Sequence, residues 1–363
     1  MSQESLGWLN RNVLVGQTDR RGNAWHYKAS EQGPEPNHYP GFIPVDDVNR
    51  RLFDFEAVEY PSAWLEEVSE LDSILAGGNP GDNIITLDGR FYRVHVDPVR
   101  KQIVPSDDHS FVMGVFKQGG GGRQYNEWLV KNVATLLDDD LGVTSAGLLR
   151  NRAQAWVEIS VSDNVETPEG VTFRPNLLAA TSFDGSLATT YKRTITATVC
   201  DNTLAAALSE KGSDTVKVRH SRYSPLQISQ AREALGIIYQ AADDFTKQVA
   251  ELCNETVTEA EWAKVLDSLV PIPPDKGSGQ TKAITKREKL DELYHWDSRV
   301  NPWVGTTFGV VQAFNTFAHH GAGTRSGTEG GAAERNLLNT LNGTVDKADA
   351  KVLDVVRNVL VAA

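Results

Sequence analysis

Cysteine is almost absent: the 363-residue chain carries two, Cys200 and Cys253. Two cysteines cannot build a disulfide framework or a cysteine-rich zinc site, so a reducing cytoplasm is the expected setting. Each is expected to pack as a small apolar side chain. No run of 18 or more apolar residues occurs, which argues against a transmembrane helix, and no membrane partner is expected. The first eight residues lack the basic head and apolar stretch of a secretory signal. The serine elbow Gly-x-Ser-x-Gly is missing. His319 and His320 are adjacent, so on a helix they point about 100° apart and do not share an ion. The glycine run at 119–122 is followed by Arg123 and Gln124 and not by the Lys-Ser/Thr of a phosphate-binding loop. No catalytic residue, metal ligand or cofactor is assigned on these grounds.

Forty per cent hydrophobic and 23% charged residues describe a soluble, folded chain. Its formal net charge of −12 is opposite to that of a protein coating nucleic acid by bulk electrostatics. The charge is unevenly spread. Residues 111–225 hold 12 Lys+Arg and 12 Asp+Glu, whereas residues 1–110 hold 10 against 18. A local cationic groove in an acidic protein is compatible with this pattern.

That central third organises the chain. Residues 171–181 read as a strand, Asp184-Gly185 as a hairpin turn, and residues 187–199 as the return strand. On the return strand, Leu187, Thr189, Tyr191, Arg193, Ile195, Ala197 and Val199 share the expected core face. Ala188, Thr190, Lys192, Thr194, Thr196 and Thr198 form the other, a hydroxyl ladder with one cation, suited to phosphate oxygens. A short helix over 204–210 and a basic strand over 215–222 follow. Then comes a long helix, 226–253, with apolar residues from Ile228 to Leu252 spaced alternately three and four apart. That seam fits either packing on the sheet or a subunit interface.

Upstream, the patterns predict helices over 45–55 and 63–75, strands over 90–96, 101–104 and 111–117, a helix over 125–137 and a strand over 149–161. Downstream, Thr258 and Glu261 form a capping box. The stretch 271–282 reads as a linker, rigid and then flexible. Helices are expected near 286–296, 306–319, 332–341 and 347–361. The sum is an α+β fold, a mostly antiparallel sheet with a long packed helix, with a core domain over 1–270 and a helical C-terminal region over 283–363.

The runs SFDGS (182–186), VCDNT (199–203) and VRHSR (218–222), with Arg193, resemble a family of phage- and plasmid-borne proteins known mainly as a domain of unknown function. DRRGNAWHY (19–27), QYNEW (124–128) and FGVVQAFN (308–315) extend the resemblance over most of the chain. No established reaction comes with that family. The strand–hairpin–strand–helix order is also similar to that of Rad-type single-strand annealing proteins. That likeness implies a phage or plasmid DNA-metabolism protein that binds and anneals single-stranded DNA as a homo-oligomer. A strand-binding surface needs a cationic track with exposed aromatics. Lys192, Lys217, Arg219, Arg222 and Tyr223 are the candidates, extended by Lys117 and Arg123. Two alternatives stand beside it: a protein-interaction or host-modifying factor using its acidic surfaces, and a nucleotide-using enzyme built on the glycine loop.

Overall fold

The structure is a computed structural model. It describes residues 3–21, 30, 32, 35–70, 84–117, 124–137, 141–197, 202–205, 215–218, 228–323 and 331–362. Helix α1 (Gln3–Asn12) runs directly into strand β1 (Val13–Val15), and α2 (Thr18–Arg21) and α3 (Val45–Leu52) follow. Next come β2 (Ala57–Val68), β3 (Ile84–Leu87), β4 (Arg90–Pro105) and β5 (Gly114–Lys117). The short α4 (Tyr125–Trp128) continues through a π turn and a 3-10 turn to Leu136. Then come β6 (Leu141–Leu149), β7 (Gln154–Val161), β8 (Val165–Glu166), β9 (Thr172–Ser182), β10 (Thr189–Ala197), β11 (Asn202–Ala205) and β12 (Thr215–Val218). The helices α5 (Ile228–Asn254), α6 (Glu259–Leu269), α7 (Ser278–Trp296), α8 (Thr307–Thr316), α9 (Gly331–Leu341) and α10 (Thr344–Val361) complete the described order.

The strands form two antiparallel sheets, and the fold is α+β as the sequence predicts. The larger sheet runs β1-β6-β7-β9-β10-β11, with β8 on β9 and β12 on β10. The smaller runs β2-β4-β3, with β5 on β4. The predicted hairpin is present: β9 and β10 pair from Phe173↔Ala197 to Ala180↔Thr190, and Gly185 in the turn has φ +70°. Asp184 closes the turn by accepting the Ser186 amide at 2.9 Å.

The larger sheet is covered on both faces, which overturns the division of β10 into a core face and a polar surface. Phe173 and Ile195 pack with α5, α6, α7, α8 and α10 in one core. Phe173 meets Phe245 edge to face at 4.8 Å. Farther along that face, Leu177, Ala179 and Tyr191 meet Ile238 of α5 and the side chains of α3 and α4. The opposite face, with Trp156, Leu178 and Ala180, is covered by Trp8 and Leu9 of α1 and Leu341 of α9. β6 is buried at every residue, as an apolar run covered on both sides should be. In the described part of the α5 seam, Ile238, Phe245, Val249 and Leu252 are buried and Ala242 is half-buried, which favours packing on the sheet.

Other expectations need correction. Residues 57–68 form strand β2, not the start of a helix over 63–75: β2 pairs with β4 along most of its length, and ladder bonds override a helix-like spacing of Trp64, Leu65 and Val68. The predicted strands at 90–96 and 101–104 are parts of the single strand β4. The predicted strand over 149–161 is broken by a turn at 150–152. Residues 202–205 are a strand, while 206–210 of the predicted helix lie outside the described residues. Within the expected 271–282 linker, α7 already begins at Ser278. Cys253 is half-buried and packs against the core, and burial, with Glu169 nearby, pushes its thiol up to about 11. Cys200, Asp138–Asp140 and the glycine run at 119–122 lie outside the described residues.

Candidate functional site

Lys192 does not face solvent. It is 5% exposed, and its Nζ donates to the Thr340 carbonyl at 2.8 Å and meets Asp346 Oδ2 at 2.6 Å. Thr340 lies in the last turn of α9 and Asp346 in the first turn of α10, so the ammonium sits where a helix C-terminus and a carboxylate both favour positive charge. Thr190 and Thr194 beside it are buried too. Burial removes Thr190, Lys192 and Thr194 from any surface track. Tyr191 is buried and donates to the Asn132 carbonyl at 3.3 Å, and Arg193 is buried. Lys117 is exposed at the end of β5 in the smaller sheet, opposite Arg100. The Lys217 backbone lies in β12 opposite Thr190. Arg123, Arg219, Arg222 and Tyr223 lie outside the described residues.

Register shows where β12 leads. Val13 lies opposite Gly147, Gly147 opposite Trp156, Trp156 opposite Ala180, Ala180 opposite Thr190 and Thr190 opposite Lys217. Val218 therefore ends β12 at the sheet end that also carries the β6–β7 turn and the start of β1.

At this end the β6–β7 connection is made by Arg150, Asn151 and Arg152, with φ of 51°, 51° and 63°. Three consecutive non-glycine residues in the left-handed region are costly and persist only where the surroundings fix them. Here the Arg150 amide donates to Glu334 Oε1 at 3.0 Å, and Tyr125 Oη donates to the Arg152 carbonyl at 2.9 Å. The Ala153 amide closes the turn on the Arg150 carbonyl at 3.1 Å. Tyr125 is itself fully enclosed, and that burial, reinforced by Asp184, holds its phenol well above the usual range.

A cleft of about 460 Å³ opens beside the turn. The end of α1 contributes Trp8, Arg11 and Asn12; the end of α3 and the residues after it contribute Arg51, Leu52, Asp54 and Phe55. The β4–β5 connection adds Asp108, Ser110 and Phe111, and the turn adds Asn151 and Arg152. The Arg152 guanidinium lies 5.0 Å above the Phe55 ring and bonds both Asp107 carboxylate oxygens through Nη1, at 2.7 and 2.8 Å. Arg51 is held from behind: Nη1 donates to the Pro36 carbonyl at 2.7 Å and to Tyr39 Oη at 3.0 Å. Arg11 is exposed. Ser110, through its hydroxyl and then its amide, keeps the Asp108 carboxyl below the usual carboxylate range. The cleft thus offers guanidinium groups, the half-buried Phe111 and two carboxylates, with Trp8 and Phe55 buried in its wall, and guanidinium groups are suited to phosphate oxygens. Sequence reasoning missed it, because its arginines come from segments far apart in the chain and the turn contains neither glycine nor proline.

Among the described residues no group of three or more side chains is placed to hold a metal ion. Among the helices of the described residues, none is long and apolar enough to cross a membrane. Residues 123–340 match the family model described as a domain of unknown function (DUF932), a span of more than half the chain. No curated protein and no solved structure matches the chain.

Proposed function

We propose that this chain, which belongs to the DUF932 family, binds single-stranded DNA at the arginine-lined cleft. The observation that carries the reading is the convergence of Arg11, Arg51 and Arg152, with the half-buried Phe111, around one cleft, in a chain whose net charge is −12. A protein that repels polyanions overall needs such a local concentration of guanidinium groups to hold one. Arg152 is fixed by its turn and by Phe55, and Arg51 by backbone carbonyls, so little side-chain freedom is lost on binding. The predicted cations Arg219 and Arg222, with Tyr223, follow β12 directly in sequence, and β12 ends at the same end of the sheet. Phosphates gripped in this way leave base edges free to pair, and two loaded subunits of a homo-oligomer could then anneal complementary strands. A phage or plasmid DNA-metabolism role is the setting we propose for that activity, with no metal or nucleotide required.

Titrating a short fluorescent single-stranded oligonucleotide against the protein at increasing salt tests this. Log affinity should fall with log salt, with a slope of about −0.7 for each phosphate neutralised. Arg11→Ala, at an exposed residue, should weaken binding about tenfold, in line with the loss of one charged hydrogen bond, and should flatten the slope. Absence of binding at about 50 mM salt would overturn the assignment.

A further inference from the structure

The arginines of the cleft differ in what holds them. Arg51 donates to the Pro36 carbonyl and to Tyr39 Oη, neutral oxygens that leave its charge in place. Glu35 lies 3.9 Å from it but accepts from Arg50 at 2.9 Å. Arg152, by contrast, gives Nη1 to both Asp107 oxygens, at 2.7 and 2.8 Å, so a carboxylate already compensates its charge. Among the described residues no other donor meets Asp107. The β4–β5 connection that carries it is fixed by other bonds. The Glu56 amide donates to Ser106 Oγ at 3.0 Å, the Ser106 amide to the Glu56 carbonyl at 2.8 Å, and the Met113 amide to the Ile103 carbonyl at 2.8 Å. Its neighbour Asp108 is committed to the Ser110 amide at 3.0 Å. The Asp107 and Arg152 side chains are 50% and 29% exposed, and ion pairs open to water are weak enough to be displaced.

We propose that Asp107 is a built-in competitor for phosphate, its carboxylate occupying Arg152 until a chain of phosphates enters the cleft. The proposal rests on the reading of the cleft as a phosphate site and adds how that site selects its ligand. Carboxylate and phosphate oxygens suit the same guanidinium fork, so the two anions compete for one group. Asp107 opposes the ligand whether it swings aside or stays. If it leaves, its bonds to Arg152 are lost; if it remains, it stands as a like charge beside the phosphate. The contact therefore sets a threshold. A lone anion at Arg152 gains little over the carboxylate already there. A strand that also grips Arg11 and Arg51 brings the surplus that opens the pair. Asp107 thus favours chains of phosphates over single ones.

The test titrates a short fluorescent single-stranded oligonucleotide against the full chain and its Asp107→Asn variant, with inorganic tripolyphosphate, a phosphate chain without bases, run in parallel. Asp107→Asn should bind the oligonucleotide about fivefold more tightly at low salt, the most that a half-exposed ion pair holds back. Its log–log salt slope should steepen by about 0.7, one more phosphate neutralised. Arg152→Asn removes the guanidinium and keeps a residue type that tolerates a left-handed backbone. In that background Asp107→Asn should change affinity by less than about twofold. If Asp107→Asn loses the native circular dichroism spectrum, Asp107→Ser carries the same expectation. Weaker binding by Asp107→Asn would make Asp107 a residue that orients Arg152 and would overturn the proposal, as would an equal gain in the absence of Arg152. If the oligonucleotide binds neither chain while tripolyphosphate binds Asp107→Asn more tightly, the single-strand reading falls and the competitor stands. If the oligonucleotide binds both chains alike, the reverse holds.

Discussion

Lys192 shows how a residue's chemistry can be legible in the sequence while its partners are not. A lysine among threonines does seek oxygen, but the oxygens it finds are the Thr340 carbonyl and the Asp346 carboxylate inside the molecule. Its alternation along β10 says which residues share a face. It cannot say whether α9 will cover that face, because α9 lies some 140 residues farther on. The two classes of cation respond differently to truncation. Lys192→Ala leaves the end of α9 and Asp346 without their partner; Asp346 is partly exposed, so water recovers some of the loss. A cost of about 1–3 kcal/mol follows. Urea denaturation should show that loss, while oligonucleotide affinity stays within about twofold of the native chain. An affinity that fell as far as with Arg11→Ala would return Lys192 to the binding surface.

At the scale of elements, what was legible is what local chemistry dictates. The Asp184-Gly185 turn and its two strands, the α5 seam and the α6 capping box, where the Thr258 hydroxyl accepts from the Glu261 amide at 3.3 Å, all follow from near neighbours in sequence. What failed were elements fixed from a distance. Trp64, Leu65 and Val68 are spaced for a helix, and only pairing with β4 makes them a strand. The Arg150–Arg152 turn has no sequence signal because its conformation is imposed by Glu334 and Tyr125. The candidate cleft depends on that turn. Tyr125→Phe removes the hydroxyl that donates to the Arg152 carbonyl and leaves ring packing with Phe183 at 4.1 Å in place. A loss of about 1–2 kcal/mol is expected, read as a lower urea midpoint with an unchanged slope. A neutral result would mean that the turn holds its left-handed conformation without this bond.

For the whole molecule, the stretch after Val270 looks like a boundary in composition, and the core crosses it. Val171, Phe173 and Ile195 of the sheet lie in one apolar cluster with Trp262, Leu290, Val311 and Val356. The Trp303 indole donates to the Glu169 carbonyl at 3.0 Å, so a residue of the helical region closes over the β8–β9 connection. Proline and glycine between α6 and α7 report a turn of the chain, which is a weaker statement than a division of the core. Cooperativity should follow the core. Phe173→Ala removes a fully buried ring from the contact with Phe245 and should cost about 3–5 kcal/mol. Because the cavity borders the sheet and the helices alike, tryptophan fluorescence and far-ultraviolet circular dichroism should move to lower urea together and remain coincident. The smaller sheet stands apart from this expectation, since its exposed face adds little to the shared core. Two separated transitions, with only the earlier one shifted by Phe173→Ala, would show that the helices after 270 fold as an independent unit, whatever side chains they share with the sheet.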